Sequence, residues 1–345
     1  MAKKKRPSKH SKPSSLKSGR PPLSRPSTSN TKLPSLSSKH TRTLINTHHL
    51  LQKRLATARL TGDVAKVAEI EAQLAAQGGL ESYQLASRTG QRNDRGGDSS
   101  KVLVKWLEGE VQARKAALRG SRSIGEREDV DNSKQVTLVE GMKPKPIRIL
   151  EVGALSTQNA LNIAGITTVR RIDLRSPEQG IEEIDFMDLP IPAAPNGEAD
   201  SGYDVLSLSL VLNYVPDPEA RGEMLKRTTQ FFNTPTSTRL QREQSSSDEE
   251  DQTRVLPCLF LVLPSPCLHN SRYLDAERLT SILNSLGYSH LHSKTTRKLY
   301  YSLWRYDDQH ARDQWVMSGG QTVFKKTELK PGGGRNNFCI VLETE

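Results

Sequence analysis

Between Arg148 and Ser176 the chain reads RILEVGALSTQNALNIAGITTVRRIDLRS, which sets a glycine, Gly153, and an acid, Asp173, 20 residues apart. Each follows or ends an apolar run. That pairing suits a nucleoside: the glycine turns the chain where a bulky side chain would block a ligand, and the carboxylate bridges two ribose hydroxyls. Taken alone, Asp173 also serves as a turn acid or helix cap. Of the GxGxxG pattern only Gly153 is kept, followed by Ala-Leu-Ser-Thr. A dinucleotide pyrophosphate needs the missing glycines. S-adenosylmethionine has no phosphate to cradle, so the departure favours that cofactor over NAD or FAD. Glu151, just before the turn, is placed to take the cofactor's ammonium directly or through water.

Further candidates lie downstream. Asp185 offers an acceptor to an adenine amino group and Phe186 an apolar wall to its ring, although an acid followed by a core Phe is also ordinary. Within YDVLSLSLVLNYVPDP, a fourth strand carries Ser207, Ser209 and Asn213 toward the methyl group, because ligands sit outside the carboxyl ends of strands. Asn213 and Tyr214 are the catalytic candidates, to bind and stack a flipped base. A cap and a core aromatic explain them equally well. Pro264, Asn270, Arg272 and Tyr273 line the same rim, where Arg272 meets a phosphate or pairs with Asp275.

Seven short apolar runs must position these residues: Ile149 to Val152, Val169 to Leu174, Ile184 to Phe186, Tyr203 to Leu210, Cys258 to Leu263, Leu299 to Trp304 and Phe338 to Leu342. They alternate with helical segments at Glu219 to Phe232 and Leu274 to Leu286, but no helix is evident between the last two. The pattern predicts a Rossmann-like α/β domain over residues 145–345, its seven-stranded sheet mostly parallel with an antiparallel last strand. Upstream, residues 41–120 read as a helical extension: Thr41 to Leu60 and Asp63 to Ala76 form a hairpin, and a further helix runs from Ser100 to Leu118.

The formal charge of +11 is local, since residues 1–60 hold 15 of the 50 Lys and Arg and none of the 39 Asp and Glu. Residues 61–345 carry 35 basic against 39 acidic side chains and are slightly acidic. Residues 1–40 are expected to be a disordered basic tail, too poor in apolar residues to fold alone. Its Lys3, Lys4, Lys5, Arg6 run fits nuclear or nucleolar import, or a loose grip on RNA phosphates, against the plainer reading of a solvated arm. A second disordered segment is expected at 233–254, polar and acidic, where Ser245, Ser246 and Ser247 precede four acids and would suit an acid-directed kinase. A solvated loop is the plainer reading. No apolar run is long enough to span a bilayer, and no leader-like apolar segment follows the basic start, so a soluble, unsecreted protein is expected. The three cysteines, Cys258, Cys267 and Cys339, show neither disulfide nor zinc spacing, which predicts a reducing compartment and no metal.

Read together, ILEVGALSTQNAL, RIDLRS, IDFMDLPIP, YDVLSLSLVLNYVPDPEARGEML, LPCLFLVLPSPCLHNSRYL and KTTRKLYYSLWRY resemble the fungal 25S ribosomal RNA adenine-N1 methyltransferase family. The likeness is collinear over Arg148 to Leu342 and reaches GGLESYQLAS and GGDSSKVLVKW upstream. It implies a class I methyltransferase of the nucleus and nucleolus that uses S-adenosylmethionine to methylate N1 of one adenine in large-subunit rRNA or a pre-ribosomal particle. The family's cofactor residues fall on Gly153 and Asp173. In this picture the basic tail supplies most phosphate contacts, aided by Lys294, Arg297 and Lys298, although a solvent-facing decoration explains those three as well. The resemblance also admits a protein that binds the cofactor as a signal without transfer, since animal relatives include a nutrient sensor, or an assembly factor with an idle site.

Overall fold

The computed structural model describes residues 38–79, 82, 85, 86, 98–125, 144–176, 178–192, 202–232 and 254–343. The basic run at Lys3 to Arg6 and the serines at 245–247 lie outside them.

Seven strands form one sheet: β1 Ile147–Val152, β2 Thr167–Asp173, β3 Glu182–Glu183, β4 Val205–Ser209, β5 Cys258–Pro264, β6 Tyr288–Thr295 and β7 Leu299–Tyr306. Their order is β3-β2-β1-β4-β5-β7-β6. The first five are mutually parallel, while β7 runs antiparallel to both β5 and β6. This is the Rossmann-like sheet expected. The reversal of direction outward from β1, with β2 on one side and β4 on the other, opens a crevice at their carboxyl ends.

Burial on both faces explains why the central strands were legible as apolar runs. Along β5, Cys258, Phe260 and Val262 enter one core while Leu259, Leu261 and Leu263 enter the other. The first of these cores is closed by two helices of the extension, α3 Ser100–Trp106 and α4 Glu108–Gly125. A single helix was expected here. The chain instead breaks at Leu107, which leaves helical geometry with φ −93° and ψ 10°. The break preserves the apolar stripe: Leu103, Leu107 and Val111 are all buried against Ile147, Ile149, Val205 and Leu303. Upstream, α1 Ser38–Leu60 and α2 Val64–Ala76 pair through Leu51, Leu55, Ala58, Ile70 and Leu74. Asp63 caps α2 by accepting from the Lys66 amide at 3.1 Å.

On the other face lie α5 Pro218–Thr228 with a 3-10 turn at Thr229–Phe231, the short α6 Pro266–His269, and α7 Ala276–Asn284. The connection from β1 to β2 has no helix among its residues and proceeds by turns.

Three expectations are corrected. The third strand is Glu182–Glu183, not Ile184 to Phe186: the Asp185 carboxylate accepts from the Met187 amide at 2.8 Å and the chain turns there. Phe338 to Leu342 is no strand of the sheet. It packs across α5, where the Val341 amide donates to the Pro218 carbonyl at 3.0 Å. Gly222 permits that approach, since a Cβ there would lie 1.8 Å from the Val341 oxygen. The strand that completes the seven is instead β6, Tyr288–Thr295, whose polar sequence befits an edge strand with only Tyr288 buried. A helix that the sequence pattern does not predict, α8 Asp308–Met317, follows β7.

Candidate functional site

A cleft of about 180 Å³ opens at the carboxyl ends of β1 and β4, lined among others by Asp98, Ser99, Glu151, Gly153, Asn159 and Ser209. Gly153 is its hinge. Its φ of +75° is left-handed, and a Cβ there would lie 2.5 Å from Cγ2 of Val211. Any side chain is therefore opposed twice, by the backbone and by a neighbour. The turn is anchored to β2, because the amides of Gly153 and Ala154 both donate to the Ile172 carbonyl, at 2.9 and 3.1 Å. Asp173, the next residue on β2, thus stands beside the turn. One of its oxygens accepts from the Arg175 amide at 3.0 Å.

Glu151 does not face the cleft as an unengaged carboxylate. Both its oxygens accept from Asn159 Nδ2 at 2.9 Å, and one also accepts from Arg171 Nε at 3.0 Å. Arg171 in turn donates to Asn159 Oδ1 at 3.1 Å and to Asn162 Oδ1 at 2.8 Å. Burial pushes the Glu151 carboxyl above its ordinary pKa, opposed by the Asn159 bond and the Arg171 charge, with Asp98 adding to the rise. The network fixes the loop after Gly153 to strands β1 and β2.

Asp98 is a site residue that the sequence pattern did not single out. Its carboxylate accepts from the Ser100 amide at 2.9 Å, the Ser100 hydroxyl at 2.6 Å and the Ala160 amide at 3.0 Å. The adjacent Ser99 hydroxyl meets that of Ser209 at 2.8 Å. The helical extension therefore builds one wall of the cleft. The signal lay in Asp-Ser-Ser ahead of the apolar run of α3, the composition of a helix start.

The exit of β4 differs. Leu210 holds φ +61°, uncommon for a residue with a side chain, while its amide donates to the Val262 carbonyl at 3.0 Å. Three residues on, Asn213 Oδ1 is buried with no hydrogen-bond partner among the described residues. Val211, between them, is the residue packed on Gly153. Tyr214 lies in the same turn, its amide donating to the Val211 carbonyl at 2.8 Å. Ser207 is buried within β4, and Ser209 reaches the cleft.

The remaining candidates lie farther out. Asp185 is engaged with its own turn, and Phe186 is 2% exposed with its ring 5.0 Å from that of Phe231, inside the core. Arg272 donates to the Gly332 carbonyl at 3.0 Å, and Asp275 pairs with Lys330 at 3.0 Å, so the expected Arg272–Asp275 alternative is replaced by two other contacts. Among the described residues no group of His, Cys, Asp and Glu could hold a metal ion, and no helix is long and apolar enough to cross a membrane.

Known proteins share both halves of this arrangement. The model of a family described as 25S rRNA (adenine(2142)-N(1))-methyltransferase, Bmt2, matches residues 68–340. The 25S rRNA adenine-N(1) methyltransferase of Schizosaccharomyces pombe is 31% identical over 293 residues, which cover 85% of this chain and 87% of that protein. The 25S rRNA (adenine(2142)-N(1))-methyltransferase of Saccharomyces cerevisiae is 30% identical over 299 residues, covering 85% of this chain and 70% of its own. The match begins within α2 and takes in both the extension that carries Asp98 and the sheet that carries Gly153. The chain belongs to the Bmt2 family of 25S rRNA (adenine-N1)-methyltransferases.

Proposed function

We propose that this protein transfers a methyl group from S-adenosylmethionine to N1 of an adenine in 25S rRNA. One observation of the site carries the reading. A cleft hinged on a positive-φ glycine adjoins a strand exit that holds a buried acceptor with no partner among the described residues. Family membership supplies the reaction class.

The donor set suits a cationic cofactor. Asp98 and Glu151 both line the cleft, and two carboxylates repel a pyrophosphate while favouring a sulfonium and an ammonium. Glu151 keeps its oxygens occupied by Asn159 and Arg171, so its part is to hold the loop and shape the field more than to act as a lone counter-ion. Asp173 is assigned the ribose, and Asp185 the adenine end of the cofactor. When bound, the cofactor supplies an electrophilic methyl group.

Adenine N1 already carries an in-plane lone pair, so no base has to remove a proton before attack. Alignment of the two reactants then provides most of the acceleration. The methylated base is cationic. Asn213 Oδ1 accepts from the exocyclic amino group as that charge develops, a preorganised dipole aimed where it is needed. Tyr214 stacks on the base. N1 lies on the Watson-Crick edge, so the adenine is unpaired or extruded first. A nucleolar site of action goes with this substrate and with the Lys3 to Arg6 run.

The deciding experiment is transfer of labelled methyl to large-subunit rRNA from a strain lacking this protein, with wild type and Asp173→Ala compared. N1-methyladenosine in the wild-type digest, lost in the variant, is expected. Tight cofactor binding without transfer to rRNA or to assembling particles would instead identify a sensor or an assembly factor.

A further inference from the structure

The carboxyl edge of the sheet is divided by charge. On the β2–β3 side stand Asp173, Glu183, Asp185 and Asp188 with the exposed Arg175, while Glu182 is neutralised by Arg170 at 2.7 Å. On the opposite side two segments meet the same edge. The β6–β7 turn belongs to it because Leu299, the start of the antiparallel β7, pairs with Pro264 at the end of β5, and the Ser265 amide donates to the Lys298 carbonyl at 2.8 Å. Residues 325–335, KKTELKPGGGR, are held to the exit of β5. The Leu329 amide donates to the Arg272 carbonyl at 2.7 Å, the Asn336 amide to the Asn270 carbonyl at 2.9 Å, and Asn270 Nδ2 to the Gly334 carbonyl at 3.3 Å. Together residues 294–298 and 325–335 hold seven cations and one acid, Glu328.

We infer that these two segments form a phosphate-binding rim that grips the RNA backbone next to the target adenine. This deepens the proposed function and rests on it. The cations themselves are placed for it: Lys294, Arg297, Lys298, Lys325 and Lys326 are exposed, and Lys326 is steadied with Nζ 5.0 Å from the Tyr273 ring centroid. Lys330 is paired with Asp275. The glycines carry an independent argument. A Cβ at Gly333 or Gly334 would meet nothing within 4 Å, so packing inside the fold does not demand glycine there. Among the described residues the amides of Gly333 and Gly334 donate no hydrogen bond. Backbone amides that donate to no described group are free to bind an anion, and glycine lets a phosphate come close. Because the loop is pinned at several points, little conformational entropy is lost when it binds.

The division of charge also sets a direction. RNA repelled by the β2–β3 side and held by the β5–β7 side presents its target base to the exit of β4 between them. Carboxylates of an acidic protein surface would accept from the same amides, so the choice of RNA rests on the family's rRNA substrate and is what the test decides.

The test uses the full chain and deproteinised large-subunit rRNA lacking the modification. Lys325→Gln/Lys326→Gln and, separately, Gly333→Leu are compared with wild type for RNA affinity across a salt series, S-adenosylmethionine affinity, and KM and kcat of methyl transfer. Expected is a rise of about tenfold in the RNA Kd and KM for the double variant, with the slope of log affinity against log salt smaller by about 1 to 2. Gly333→Leu should weaken RNA binding with the salt slope nearly kept. Cofactor affinity and kcat should stay at wild-type values in both. Unchanged RNA affinity and KM would overturn the rim, and would do so equally if the double variant instead lost binding to a pre-ribosomal protein. If wild type transfers no methyl to rRNA, the proposed function fails separately, while the affinity series still decides whether these segments hold RNA.

Discussion

The two strand exits beside the cleft are built on opposite terms. On the β1–β2 side Glu151, Arg171, Asn159 and Asn162 satisfy one another. On the β4 side Leu210 occupies a left-handed conformation and Asn213 Oδ1 is buried without a hydrogen-bond partner among the described residues. A closed network stiffens what it touches and keeps little capacity for a ligand. An orphaned acceptor costs about 1–3 kcal/mol and a strained residue a similar amount, and such costs persist where a bound molecule removes them. The first exit therefore reads as scaffold and the second as the face awaiting the substrate.

The largest effects should come from the hinge and the scaffold. Gly153→Arg places a long side chain at a positive φ, against Val211 and into the cleft. Binding of labelled S-adenosylmethionine should fall below detection, and wild-type affinity would show that the cofactor does not use this turn. Arg171→Leu leaves the Glu151 carboxylate buried beside Asn159 alone. Breaking a buried pair in this way should cost about 3–5 kcal/mol in urea unfolding. The same carboxyl gives a pH signature. Its pKa is raised in the fold by burial, so its contribution to stability is fully present below the unfolded value and is lost as pH rises through the folded one. Glu151→Gln should flatten that decline above the ordinary glutamate range, measured as unfolding free energy against pH.

The opposite exit should behave in reverse. Asn213→Ala removes an unsatisfied buried acceptor, so the unfolding midpoint should hold or rise while kcat falls about a hundredfold, a loss of about 2.7 kcal/mol of transition-state stabilisation. Stability and activity falling together would mean that Asn213 is merely structural.

These contrasts explain what could be read from sequence and what could not. Strands β1 and β5 were legible because both faces are buried, and Gly153 with Asp173 because adjacent parallel strands bring their ends together at a fixed spacing. Tyr288–Thr295 was missed because an edge strand need not be apolar, and Phe338 to Leu342 misled because burial across α5 imitates burial in a sheet. Phe186 shows the limit of reading by position: expected as the last residue of the third strand, it lies beyond Glu183 in a turn, and its ring faces Phe231. The Asp98 wall joins residues about sixty positions apart, which no local pattern encodes. Arg171 did carry a signal. An arginine amid Val169 and Ile172 in a buried strand requires an acid on its neighbour, and Glu151 is its register partner in β1.

The smallest expected effect tests whether the extension belongs to the cleft or only covers the sheet. Ser99 touches the ligand edge through one hydrogen bond, to the hydroxyl of Ser209 at 2.8 Å. A neutral, partly buried bond of this kind contributes about 1 kcal/mol. Ser99→Ala should therefore lower S-adenosylmethionine affinity about threefold to fivefold, with α3 still capped through Asp98 and Ser100. Ser209→Ala should do the same, and the double variant should cost no more than either alone, because the two hydroxyls form one contact. Additive losses would mean that each serine meets the cofactor on its own, making both extension and β4 direct walls of the site.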